Sequence, residues 1–440
     1  MSFSTAISGL NAAQNLLSVT GNNVANANTT GFKRSRSEFA DVYNNSITRV
    51  GDTVPGAGVK VARVAQLFDQ GNLEYTENSL DLAISGEGFF VTADSPENTN
   101  TRFFTRAGTF SVDKEGYVVN NLDHPLLVYP PNGDGTDIKA GFSTGQYQPV
   151  KLSTTQSNPK PTTEVNLKFN LNSKDLKTVL PAAFNPADAT TYNWSTSATV
   201  YDSLGNSHTS TSYFMKTADA STDPDTGAVT PAQWEMRVYL DGQPMTTTPE
   251  AITPTFDANG NIVSLDGTVP AADATTPPVL SFTAGGVPIA GANNLQLTYN
   301  LARSTQQAME YSTNGLDQNG YPIGNLTGVN VDGKGIIYAT FSNGDSQVMG
   351  KVVVARFQNQ QGLTKVGNTD WTQSMQSGQA IYGEAGTSSF GTIASGAIEN
   401  SNVDIASQLI NMIIAQQTYQ ANAQSITTEN TITQAILNIR

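Results

Sequence analysis

Residues 1–33 read MSFSTAISGLNAAQNLLSVTGNNVANANTTGFK, and as far as Phe32 they hold no Asp, Glu, Lys or Arg. Within this stretch Phe3, Ile7, Leu10, Leu17 and Val24 recur at helical spacings, which places them on one stripe with Ser, Asn and Gln opposite. Asn22, Asn23 and the run from Asn26 to Gly31 then end the helix, because Asn and Gly accept turns and left-handed backbone. A second uncharged segment runs from Ile405 to Thr428. There Ile405, Leu409, Met412, Ile413, Ile426 and Leu437 form another amphipathic pattern, with Ser401-Asn402 as the expected N-cap and Asp404 in the first turn.

Amphipathic helices of this kind are ordinarily surface helices laid on a globular domain. Such helices carry Lys and Glu on their exposed faces for solubility and for pairing along the helix. Here the outer faces carry amides and hydroxyls, which suit contact with more protein. The pattern predicts that the two helices pair in a coiled coil that also meets copies of itself, through the eleven apolar residues just named. Open, head-to-tail contacts of that sort build helical filaments, not closed oligomers.

The middle of the 440-residue chain changes character. With 38% hydrophobic residues the protein has enough apolar surface for two or three cored domains. The periodicity becomes two at Leu82-Ala83-Ile84 and Gly88-Phe89-Phe90-Val91, and Phe110 to Val119 read as a hairpin. Alternation resumes at Val165, Leu167, Phe169 and Leu171, at Trp234, Met236, Val238 and Leu240 before Asp241-Gly242, and at Leu295, Leu297, Tyr299 and Leu301. Another hairpin is read from Ile336 to Phe357 around Asn343-Gly344. The fold class that follows is mixed and mainly β: paired N- and C-terminal α-helices in a coiled coil, plus nested all-β domains, the outer one inserted into the inner one. The expected division is 1–28 and 400–440 for the helical polymerisation domain, 29–70 and 385–399 for connectors, 71–144 and 309–384 for the inner β-domain, and 145–308 for the inserted outer β-domain.

A formal net charge of -14 with only 23 Lys plus Arg argues against nucleic acid or an anionic membrane surface as partner. The absence of cysteine excludes disulfides, thiolate metal sites and a cysteine nucleophile. No basic residue precedes an apolar run at the N-terminus, so no cleaved signal peptide is expected, and no run approaches the roughly 20 apolar residues that insert across a bilayer. The two histidines, His124 and His208, are far apart in sequence and lack cysteine support, so no metal site is expected. P-loop, Gly-x-Ser-x-Gly and His-Glu-x-x-His patterns do not occur. Ser264 stands where an aspartyl-phosphatase loop needs its nucleophilic Asp, and Ser264 to Thr268 read as a turn between strands. The acidic turns at Asn132 to Gly135 and Asp223 to Gly227 lack the ligand spacing of an EF-hand. Neither catalysis nor a cofactor is expected. A glycosidase needs no local motif for its two carboxylates, which keeps a secreted β-rich adhesin or glycan-active protein as the alternative of a different class.

The segments Ser8 to Gln14 and Gly21 to Lys33 closely resemble the N-terminal signature of the flagellar rod and hook axial proteins. Leu80 to Val91, Phe104 to Gly108 and Gly116-Tyr117 look like the β-domain shared by the hook and the distal rod, and Gly396 to Asp404 with Gln416 to Asn422 look like the C-terminal hallmark. Rod members are shorter and lack a large central insert, so the resemblance implies a hook subunit, with a distal rod subunit as the alternative. It further implies a structural protein and no enzyme, assembled with itself as a helical homopolymer: a short curved flexible tube that passes torque from rod to filament. The implied partners are the rod, hook cap and hook–filament junction proteins and the type III export apparatus, and the implied location is the extracellular hook. Phe39-Ala40-Asp41-Val42-Tyr43 is similar to the Phe-x-x-x-hydrophobic export-gate motif of early rod and hook substrates, and reads equally as a helical fragment of the connector.

Overall fold

The computed structural model describes residues 3–42, 56–133, 135, 141–152, 157–178, 184–222, 229–230, 232–247, 252–265, 280–387 and 389–438. A 23-residue helix, α1 (Phe3–Ala25), begins the described chain, and a 33-residue helix, α2 (Ile405–Leu437), ends it. The expected helix stop is present: Asn26 N–H donates to Asn22 O and Asn23 O, and Gly31 takes a φ of 70°. At the other end the expectation needs correcting. Asp404, not Ser401-Asn402, is the N-cap of α2; its backbone is extended and its carboxylate accepts from Ala406 N and Ser407 N. Asn402 is engaged elsewhere, accepting from Arg34 N and donating to the carbonyls of Leu67 and Asp69.

The connector expected after α1 contains an antiparallel ribbon, β1 (Ser35–Asp41) and β2 (Val59–Gln66), in register Ser35 to Gln66 with a bulge at Glu38/Phe39. Phe39 therefore lies in a strand opposite Val61 and not in a helical fragment. Tyr43, its partner in the proposed motif, falls outside the described residues.

The chain divides into two compact units, the first comprising Met1–Thr154, Thr327–Thr340 and Ser346–Arg440, the second Thr155–Leu326 and Phe341–Asp345. The first holds the helices, the ribbon and a sheet centred on the strand Ser346–Arg356. That strand pairs with four others, Ile336–Phe341, Leu127–Tyr129, Phe89–Ala93 and Ile381–Glu384. Both its faces are covered, which explains its unbroken Val-rich run. Val352 and Val354 join Phe90, Phe110 and Leu126 in one core, while Val353 and Ala355 join Phe89, Phe104, Leu127 and Trp371 in another.

In the second unit a six-stranded sheet built around Glu164–Asn172 and a four-stranded sheet of Trp194–Tyr201, Ser207–Ala218, Gln233–Leu240 and Gln243–Pro244 share one core. The alternating residues Val165, Leu167, Phe169 and Leu171 meet Phe214, Trp234, Met236 and Val238 there. Asp241 and Gly242, with φ values of 50° and 80°, make the tight turn between the last two strands of the smaller sheet. The expected insert, 145–308, differs from this unit at both ends. Gln148–Pro149 pairs with Leu127–Tyr129 of the first unit. Ser312–Gln318 pairs antiparallel with Glu164–Asn172, Val165 opposite Gln318, and so belongs to the second.

Candidate polymerisation site

The helices α1 and α2 pack against one another and run antiparallel, since Gly9 lies against Asn422 while Asn23 reaches Gln408. A Cβ on Gly9 would stand 2.5 Å from Asn422 Oδ1, so the glycine makes room for the Asn422 amide. The buried positions of both helices are small or polar. Ala6, Ala13 and Thr20 are buried on α1 at intervals of one heptad, and Gln408 and Ala415 are buried on α2 at the same interval.

The eleven residues expected at the polymerisation interface divide into two groups. Leu10, Leu17 and Val24 on α1 and Met412 and Ile426 on α2 are half-buried. Phe3 and Ile7 stay exposed on α1, as do Ile405, Leu409, Ile413 and Leu437 on α2. The sequence reading missed Ile410, Ile414, Ile432 and Ile436, which are exposed as well. Ile405, Leu409 and Ile413 form one ridge of α2 and Ile410 and Ile414 the adjacent ridge, all 46–59% exposed. The missed residues were findable, because a continuous apolar pair such as Ile413-Ile414 cannot place both members on a single narrow seam. Covering these five side chains is worth on the order of 5 kcal/mol.

Where the helices meet the rest of the first unit, polar side chains replace apolar ones. Asn23, 1% exposed, donates to Ser35 O at 2.8 Å and Gln408 Oε1 at 3.0 Å, and accepts from Ser35 N at 2.8 Å. One amide thus ties α1 to both β1 and α2. Asn23→Ala strands those three partners, and a loss of about 2–3 kcal/mol is expected, read as helical ellipticity melting at a lower temperature in the purified subunit. In the segment that leads into α2, the carboxylate of Glu399 is wholly buried and accepts from Lys33 Nζ at 2.5 Å, Gly71 N at 2.8 Å and Arg106 Nη1 at 3.1 Å. Its carbonyl accepts from Gly31 N. Burial depresses the Lys33 ammonium pKa below the ordinary lysine range, although Glu399 pulls it back up. A side chain at Gly71 would run into the Asn400 carbonyl. None of these contacts was legible in the sequence.

Among the described residues no group of three or more His, Cys, Asp or Glu side chains is arranged to hold a metal ion, and no helix is long and apolar enough to cross a membrane. His124 stacks on Phe103 and faces Asp370 in the first unit, while His208 faces Asp202 and Asp241 in the second.

A terminal helix pair with almost no charge and bare apolar ridges, in a chain that is otherwise β-rich, has the make-up of a structural subunit, not of an enzyme site. Four family models match the chain: "Flagella basal body rod protein" over residues 3–33, "Flagellar hook protein FlgE/F/G D1 domain" over 83–146, "Flagellar basal body protein FlaE D2 domain" over 170–321, and "Flagellar basal body rod FlgEFG protein C-terminal" over 394–439. The flagellar hook protein FlgE of Escherichia coli (strain K12) is 36% identical over 452 residues, with 100% of each chain covered. That of Salmonella typhimurium is 36% identical over 441 residues, again with 100% of each covered, and that of Treponema pallidum is 32% identical over 472 residues, covering 99% of this chain and 98% of its own. The crystal structure of the Helicobacter pylori flagellar hook protein FlgE2 shares the fold with a TM-score of 0.51 at 17% identity, covering 74% of this chain and 100% of that one. The chain belongs to the flagellar hook protein family and is a structural subunit of the hook.

Proposed function

We propose that the subunit polymerises through its terminal helix pair into a short curved tube, a universal joint that carries torque from rod to filament, and that it catalyses nothing. The exposed ridges Ile405, Leu409, Ile413 and Ile410, Ile414 are the observation that carries this reading. They are long, uncharged and left uncovered by α1, and copies of the same chain are the occupants that an axial polymer supplies. In this reading the helices make the axial core, and the β-domain of 71–144 and 309–384 and the inserted β-domain supply the contacts between neighbours. A joint that bends at every rotation angle needs outer contacts that are wet and individually weak, so that neighbours can slide. Thr, Ser and Asn on the exposed strand edges of the second unit fit such contacts.

The partners in this reading are further copies of the chain, the rod below, the hook cap during growth, the hook–filament junction above, and the type III export apparatus, in the extracellular hook. Phe39, 40% exposed on β1, is available to an export gate in the form shown. Electron microscopy of basal bodies from cells lacking the gene tests the assignment. Rods ending without hooks are expected, and truncated rods would move the subunit to the rod.

A further inference from the structure

We infer that His208 is a proton-operated clip that holds two surface turns of the second unit together and releases one of them as the medium becomes alkaline. The residue is the second of the strand Ser207–Ala218, with a carboxylate on either side of its ring. Nδ1 lies 2.6 Å from Asp241 Oδ2 and Nε2 lies 3.3 Å from Asp202 Oδ2. The carboxylates come from different hairpins, Asp202 from the turn after Trp194–Tyr201 and Asp241 from the turn after Gln233–Leu240. They contact opposite ring nitrogens, so they do not converge on one point and do not make a metal site.

A neutral imidazole has a single N–H, and one of its nitrogens would then turn a lone pair toward a carboxylate. Only the imidazolium satisfies both sides. The charged groups facing the ring are these two carboxylates; Ser203, Asn293, Pro159 and Ile323, which pack on the Asp202 turn, are uncharged. Burial alone would lower the His208 pKa, but the bonds from Asp241 and Asp202 outweigh it and hold the pKa above the ordinary histidine value. For Asp202 burial pushes upward and is likewise outweighed, by Asn206, Leu204 and His208, so that its pKa is drawn down to about 2.

The two sides are unequal, which decides where the clip opens. Asp202 is wholly buried and also accepts from Leu204 N, Asn206 N and Asn206 Nδ2. The Asp241 side chain is half exposed, so water can replace the ring there at little cost and leave its carboxylate the bond from Thr209 N. On losing its proton the ring keeps its N–H on Asp202 and gives up Asp241. The turn at Asp241-Gly242 and the short strand Gln243–Pro244 after it then loosen. The sign follows from linkage: a histidine whose folded pKa is raised stabilises the fold fully below its unfolded pKa, and that contribution disappears as pH rises through the folded pKa. On the acid side, protonation of Asp241, whose pKa is also held below the ordinary carboxylate range, sets the other limit.

The test is amide hydrogen exchange of the full-length subunit at pH 6 and pH 9, corrected for intrinsic rates, together with an NMR titration of His208. The expected result is protection of residues 240–245 falling about tenfold across the titration, with no such step in His208→Gln. The His208 midpoint should lie above about 6.5, and in Asp241→Asn it should shift down. If the wild-type protein and His208→Gln lose protection equally, or if the His208 midpoint lies below the free-histidine value, the inference is overturned. Neither outcome bears on polymerisation, because the measurement is made on the free subunit.

Discussion

Glu399→Ala is expected to destabilise the first unit by about 3–5 kcal/mol, a large part of the 5–15 kcal/mol by which domains are ordinarily stable. The loss comes less from the ion pairs themselves than from what the substitution leaves behind. Lys33 and Arg106, whose side chains are 1% and 4% exposed, would face each other in a dry site without their anion. Among the described residues Lys33 keeps the Asp69 carbonyl, and Arg106 keeps those of Ile84 and Gly86 and the face of Phe89, none of them an anion. The Gly71 amide also loses its acceptor. Glu399→Gln retains an acceptor for that amide and should cost less than alanine. Adding Lys33→Met to Glu399→Gln should recover part of the loss, because the double variant no longer buries two unpaired cations. Urea unfolding of the subunit, with exchange of the Gly71 amide as a local reporter, checks the series. Equal stability of Glu399→Ala and the parent would show that the triad contributes nothing.

Ile413→Asp is expected to abolish hook assembly while leaving the free subunit within about 0.5 kcal/mol of the parent. Its side chain is 53% exposed, so a carboxylate there is hydrated until a neighbour arrives and then costs several kcal/mol to desolvate. Leu409→Asp should behave alike. Leu10→Asp is a less clean probe, since Leu10 is half-buried already in the single subunit and its loss weakens the helix pair too. Bare rods seen by electron microscopy, with soluble variant subunit that unfolds at the parental urea concentration, is the expected outcome. Normal hooks in the Ile413→Asp strain would mean that the ridge faces solvent in the polymer.

The sequence announced these helices by what it lacks, charge over residues 1–32 and 405–428. It did not show which apolar residues face inward. The buried positions are Ala6, Ala13, Thr20, Asn23, Gln408 and Ala415, small or polar residues that a search for hydrophobic stripes passes over. They lie inside as the helices pack on one another, with Gly9 leaving room for the Asn422 amide. The ribbon β1–β2 was also invisible. Arg36, Glu38, Lys60 and Arg63 lie along it, and strands exposed on both sides have no alternation to read. The boundaries of the second unit moved from 145–308 for another reason: Ser312–Gln318 joins it by pairing with a strand far upstream, and partner choice over such a separation leaves no local signature.

The triad at Glu399 has a kinetic consequence as well. Lys33 and Glu399 are 366 residues apart in the chain. At the ordinary pace of translation, about 5–20 residues per second, roughly 20–70 s separate the synthesis of one from the other. The first unit cannot close its central polar joint during that interval, and contacts of such high sequence separation are slow to form even afterwards. The first unit therefore stays open until its final segment has been made, and only then can its β-domain close around the joint.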